Sequence, residues 1–188
     1  MTRQLRFLAA SLAVLIAQTA VAQDAPGDTP KLPGAPIDDI LFAAAIADGG
    51  EAEMTLAALG REKATDPELR KFSQRMIDDH GPAGKTIRAL YAPRNLNLPT
   101  AVDSRGQFRI HCLSGLSGVE FDRAYAKAQL VLHLDTVASY EAEVQRGQDP
   151  EVRAYAAKYL PIFREHLKTI RSIVARLEPS APRDEIKP

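Results

Sequence analysis

Apolar residues recur at steps of three and four through four long stretches of this chain, a spacing that predicts four amphipathic α-helices. The first stretch runs from Asp38 to Ala64, with Asp38 and Asp39 able to cap its start. It sets Phe42, Ile46, Gly49, Glu53, Leu56 and Gly60 on one stripe. Its Gly49-Gly50 pair costs about 1 kcal/mol per glycine relative to alanine, which predicts close packing or a local bend. The second opens at Asp66-Pro67, a cap followed by proline at the first helical position. Leu69, Phe72, Met76, His80, Ala83, Ile87 and Leu90 share its apolar face, and Gly81-Pro82 predicts a kink just after His80. The third, Val119 to Arg146, carries Phe121, Leu130, His133, Val137, Tyr140 and Val144, with Gly147 placed to end it. The fourth repeats the cap at Asp149-Pro150 and continues through Val152, Tyr155, Tyr159, Phe163, His166, Ile170, Ile173 and Leu177, with Pro161 inside.

The connections order these helices. Only a few residues separate helices one and two, and helices three and four, so each pair is expected to be an antiparallel hairpin. Tyr91 to Gly118 is long enough to cross the whole bundle between them. The fold class is therefore all-α, a ferritin-like four-helix bundle with a long crossover between helices two and three, over residues 38–178.

The chain before the first helix has a different pattern. Arg3 and Arg6 precede an apolar run from Leu5 to Ile16, and Ala20-Val21-Ala22 offers the small-x-small site of signal peptidase. Residues 1–22 are expected to be a cleavable signal peptide, since the run is shorter than the roughly 20 residues a membrane span needs. The expected location is the periplasm, with outer-membrane association open. Residues 23–37 and 179–188 are rich in Pro, Gly and charge, and read as a flexible spacer and tail.

Composition narrows the function. Without Arg3 and Arg6 the chain has 22 basic against 24 acidic residues, and no basic stripe is interleaved with aromatics, which argues against a nucleic-acid partner. No later apolar stretch could span a bilayer. The single cysteine, Cys112, cannot form an internal disulfide and is expected to be a small buried hydrophobe. Adjacent His111 is a weak signal for metal.

Candidate chemistry lies at mid-helix. His80, His133 and His166 each fall near the midpoint of a different helix, on the stripe assigned to the core, and Glu53 holds the corresponding place on the first helix. Helix midpoints meet at one layer whichever way each helix runs, so one ligand-capable side chain per helix converges there. Three imidazoles and a carboxylate suit Zn²⁺, Fe²⁺ or Cu²⁺. The competing reading is a metal-free His–Glu network that fixes the packing. Asp79, Asp135 and Glu165 lie on other faces and are expected to be solvated, with Asp79 able to enter the site if the kink rotates the helix.

The run FSQRMIDDH ending at His80, the run from Gly118 to His133 and LPIFREHL around His166 together resemble the bacterial family known as domain of unknown function 4142. That resemblance spans about Ile40 to Leu177 and implies an exported, ferritin-like bundle without an established activity, with histidines recurring at these three positions. Di-iron carboxylate bundles carry Glu three residues before each histidine. Here those positions hold Ile77, Leu130 and Phe163, which disfavours a carboxylate-bridged di-iron oxidase and favours a mononuclear site. Four protein ligands would close the coordination sphere, and no nucleophile–base spacing stands out, so an enzyme ranks below a binding or structural protein.

Overall fold

The computed structural model describes residues 37–178; the expected signal peptide, all of the spacer but Ile37, and the tail lie outside them. Five α-helices form: α1 (Ile37–Lys63), α2 (Pro67–Tyr91), α3 (Ser104–Ser114), α4 (Gly118–Arg146) and α5 (Pro150–Leu177). A 3-10 turn, Ala92–Arg94, follows α2, and no strand occurs among the described residues. The four long helices begin and end within a residue or two of the expected bounds. The fifth, α3, lies in the crossover that was expected to be a connector. Its 11 residues bury little besides Gly106 and Leu113, so it has no apolar stripe to betray it. A local cap forms it instead: the Asp103 carboxylate accepts from Gly106 N at 2.6 Å.

Asp66 and Asp149 cap α2 and α5 as expected. Asp66 accepts from Leu69 N at 2.9 Å, and Asp149 accepts from Glu151 N and Val152 N at 2.8 and 3.2 Å. Gly118 opens α4 at φ +58°, a left-handed backbone that other residues rarely adopt. Pro82 and Pro161 both sit inside helices that run on past them.

α1 packs chiefly against α2 and α4, and α5 chiefly against α4 and α2; α3 crosses over α1 and α4. The order is therefore hairpin, crossover, hairpin. Two buried carboxylates tie the hairpins to each other. Asp39, expected to cap α1, instead accepts from Gln148 N and Asp149 N at 3.0 and 3.1 Å, ahead of α5. Asp122 of α4 returns the arrangement, accepting from Thr65 N and Asp66 N at 3.0 Å each and from the Thr65 hydroxyl, ahead of α2. Each hairpin thus terminates the other's turn, and the backbone N–H groups that a tight turn would bury unpaired are satisfied.

The helical stripes meet in one core that includes Phe42, Leu56, Leu69, Phe72, Met76, Ile87, Phe121, Tyr125, Phe163 and Ile170. No described helix is long and apolar enough to cross a membrane. Cys112 is exposed on α3, which corrects its expected place in the core: α3 lies on the outside of the bundle and turns this residue to solvent. Its neighbour His111 is exposed as well.

Candidate metal centre

The helix midpoints bring Glu53 of α1, His80 of α2, His133 of α4 and His166 of α5 together, all at 5 % exposure or less. One ring nitrogen from each histidine lies within 4.8 Å of those from the other two. The rings are also mutual neighbours, with centroids 5.6–5.8 Å apart. Phe72 packs edge-on against His133 and His166, and Phe163 lies 4.7 Å from His80, so apolar walls close the layer.

Each imidazole uses one nitrogen on a protein acceptor. His133 Nδ1 donates to the Gln129 carbonyl at 2.8 Å, the i−4 oxygen of its own helix. His166 Nε2 meets Asp79 Oδ2 at 2.7 Å. His80 Nδ1 lies 3.2 Å from Glu53 Oε2, while the other Glu53 oxygen is 3.6 Å from His133 Nδ1 and 3.4 Å from the Thr136 hydroxyl. Each imidazole leaves its second nitrogen buried with no partner: His80 Nε2, His133 Nε2 and His166 Nδ1. A carbonyl can only accept, so His133 carries its proton on Nδ1 and presents a lone pair at Nε2. Donation from His166 Nε2 to Asp79 leaves the same at Nδ1.

Burial keeps the histidines neutral. It pushes His80 well below the usual range, with the two neighbouring imidazoles adding to the effect, and takes His133 down to about 4. It lowers His166 too, partly offset by the Asp79 hydrogen bond. The same desolvation pushes Glu53 up to about 8, against the Thr136 hydroxyl, which favours its charged form. Neutral imidazole is the form that binds a metal.

Three of the four residues singled out in the sequence, the histidines, thus form one cluster of potential ligands. Glu53 joins the layer at the outer nitrogens of His80 and His133. Asp79, expected to be solvated, reaches His166 across α2 and α5 while staying 28 % exposed. Its positions beside His80 and ahead of Gly81-Pro82 were the signals for it, while helical periodicity alone put it on another face. Asp135 and Glu165 are exposed as expected.

These ligand atoms fit a cation. Zn–N bonds of about 2.0–2.1 Å in a tetrahedral site put ligand nitrogens roughly 3.4 Å apart, so closing from within 4.8 Å needs a shift of no more than about 1.4 Å. Metal-ligating histidines characteristically donate their other N–H to a carboxylate or a backbone carbonyl, the environment all three have here.

No curated protein matches the chain. Among solved structures, the crystal structure of a DUF305 fragment from Deinococcus radiodurans matches with a TM-score of 0.67 at 15 % identity, covering 77 % of this chain and 99 % of that one. At that identity the likeness speaks for the helical fold alone. The family model for the domain of unknown function DUF4142 matches residues 17–173, and the chain belongs to that family.

Proposed function

We propose that this chain is an exported protein that holds one transition-metal ion, Zn²⁺, Fe²⁺ or Cu²⁺, between His80, His133 and His166, for storage, buffering or sensing. The observation that carries this reading is the set of three buried imidazole nitrogens without a partner. Leaving a buried polar group unsatisfied costs about 1–3 kcal/mol, so three together would consume a large part of the roughly 5–15 kcal/mol that keeps a domain folded. A metal-free network, the competing reading, has to leave that cost standing. A single water offers two hydrogens to three lone pairs; a cation can satisfy all three.

In this reading Glu53 is not a ligand but stands beside His80, 3.2 Å from its Nδ1, while Asp79 orients His166 and the Gln129 carbonyl orients His133. Three protein ligands leave one coordination position open, as in sites that bind an exogenous molecule. The hairpin–crossover–hairpin order is that of ferritin-like bundles, yet Ile77, Leu130 and Phe163 stand where their di-iron sites place glutamates. The ion is accordingly single. The basic, apolar and small-residue pattern of residues 1–22 supports delivery to the periplasm.

Elemental analysis of the purified full chain, with thermal unfolding in added Zn²⁺, Fe²⁺ and Cu²⁺, tests the proposal. One ion per chain is expected, lost in His133→Ala, with stabilisation of about 2.7 kcal/mol at a free concentration a hundred times Kd. No stoichiometric metal and an unmoved melting temperature with all three ions would overturn it.

A further inference from the structure

Gly49-Gly50 lacks the packing explanation that its sequence suggested. A Cβ at either position would meet nothing within 4 Å, whereas one at Gly60 would come within 2.4 Å of both Ser73 Oγ and Tyr125 Cζ. Close approach accounts for Gly60 and not for the pair, whose cost of about 1 kcal/mol per residue in a helix interior is left to a bend or to another cause. Both glycines line a cavity of about 80 Å³ walled by α1, α2, α4 and α5. Its walls run from exposed Asp135 to buried Glu53 and His80, so it connects the surface with one of the three histidines. That volume has room for several waters.

A second feature points to what passes through. His80 lines the cavity at 5 % exposure, and its Nε2 has no partner. The walls also carry the hydroxyls of Thr136 and Ser139 and the carboxyl groups of Glu53 and Asp135, oxygens that can replace part of a cation's hydration shell as it sheds water. Away from the cavity, Phe72 packs edge-on against His133 and His166.

We propose that this cavity is the port by which a divalent transition-metal cation reaches His80, His133 and His166, and that Gly49 and Gly50 keep it open. The port rests on the metal reading above. Side chains at residue 50 of α1 or residue 139 of α4 then control the rate of loading and not the affinity, because neither residue is one of the three that would hold the ion.

Cobalt(II) is the probe, since its visible absorption reports binding as it occurs. Loading of the metal-free full chain is followed by stopped-flow absorption for wild type, Gly50→Leu and Ser139→Leu, with equilibrium titration of each. Gly50→Leu replaces a helix-interior glycine and is expected to raise the melting temperature; Ser139→Leu narrows the opening from the opposite wall. Both are expected to load about tenfold more slowly with unchanged Kd and cobalt spectrum. Loading within about twofold of wild type in either folded variant overturns the port. Wild-type protein that takes up no cobalt overturns the metal reading itself, and the port with it.

Discussion

Asp79 and the Gln129 carbonyl perform the same task for two histidines, each accepting from one ring nitrogen and so leaving the other with a free lone pair, while Glu53 lies 3.2 Å from Nδ1 of the third, His80. They differ in how firmly they are held. Gln129 O belongs to the backbone of α4 and Glu53 is only 2 % exposed, but Asp79 keeps 28 % of its side chain in solvent. Asp79 is therefore the partner that can be altered without disturbing the core. Asp79→Asn is expected to lower metal affinity about 10–100-fold, as loss of a ligand's outer hydrogen-bond partner commonly does. The melting temperature of the metal-free protein should stay close to wild type. Competition against a chromophoric chelator measures the first and thermal unfolding the second; unchanged affinity would detach Asp79 from the centre.

Among the helices, polar ties join the two hairpins alongside the apolar core. Asp39 and Asp66 are separated by 27 residues, as are Asp122 and Asp149, and in each hairpin the first aspartate serves the turn of the opposite hairpin while the second caps the helix that follows. Arg176 pairs with Asp66, and Arg94 with Asp149, so the outer face of each cap has a matching ion pair. The Arg176 pair is about half exposed on the arginine side and contributes little, whereas Asp122 is buried and satisfies two backbone N–H groups. Asp122→Ala is expected to cost about 2–4 kcal/mol in urea unfolding, because both donors lose their acceptor inside the protein. Asp122→Asn, which keeps one acceptor oxygen, should cost less. Equal losses for the two substitutions would show that shape rather than hydrogen bonding decides.

The whole molecule carries a pH dependence set by two buried carboxyl groups, Glu53 in the histidine layer and a second far from it. Glu143 of α4 is buried against Gly147, and burial together with the Asp39 and Asp149 carboxylates pushes it up to about 8. Its folded-state value lies above the unfolded one, so the fold binds its proton more tightly than the open chain does. That contribution to stability is complete below about pH 4.5 and is lost as pH rises through about 8. Metal-free protein should accordingly unfold at lower urea at pH 9 than at pH 6, and Glu143→Gln should shrink the difference without abolishing it, because Glu53 is raised to about 8 as well. A wild-type difference retained in full in the glutamine variant would place the titration elsewhere. Much of this molecule could be read from local chemistry. The 3.6-residue period located the four long helices and turned His80, His133, His166 and Glu53 inward, because periodicity and side-chain burial are properties of one helix at a time. Asp-Pro caps marked α2 and α5 for the same reason. The remainder depends on how the helices are rotated and staggered against each other, which no single stripe encodes. Rotation brought Asp79 of α2 to His166 of α5 and set Glu53 at the outer nitrogens instead of among the lone pairs. Stagger sent Asp39 to the far hairpin and left Gly49-Gly50 over a cavity rather than a contact. The helices and the polar layer followed from intervals along the chain; which atom of each side chain faces the layer followed from contacts between residues dozens of positions apart.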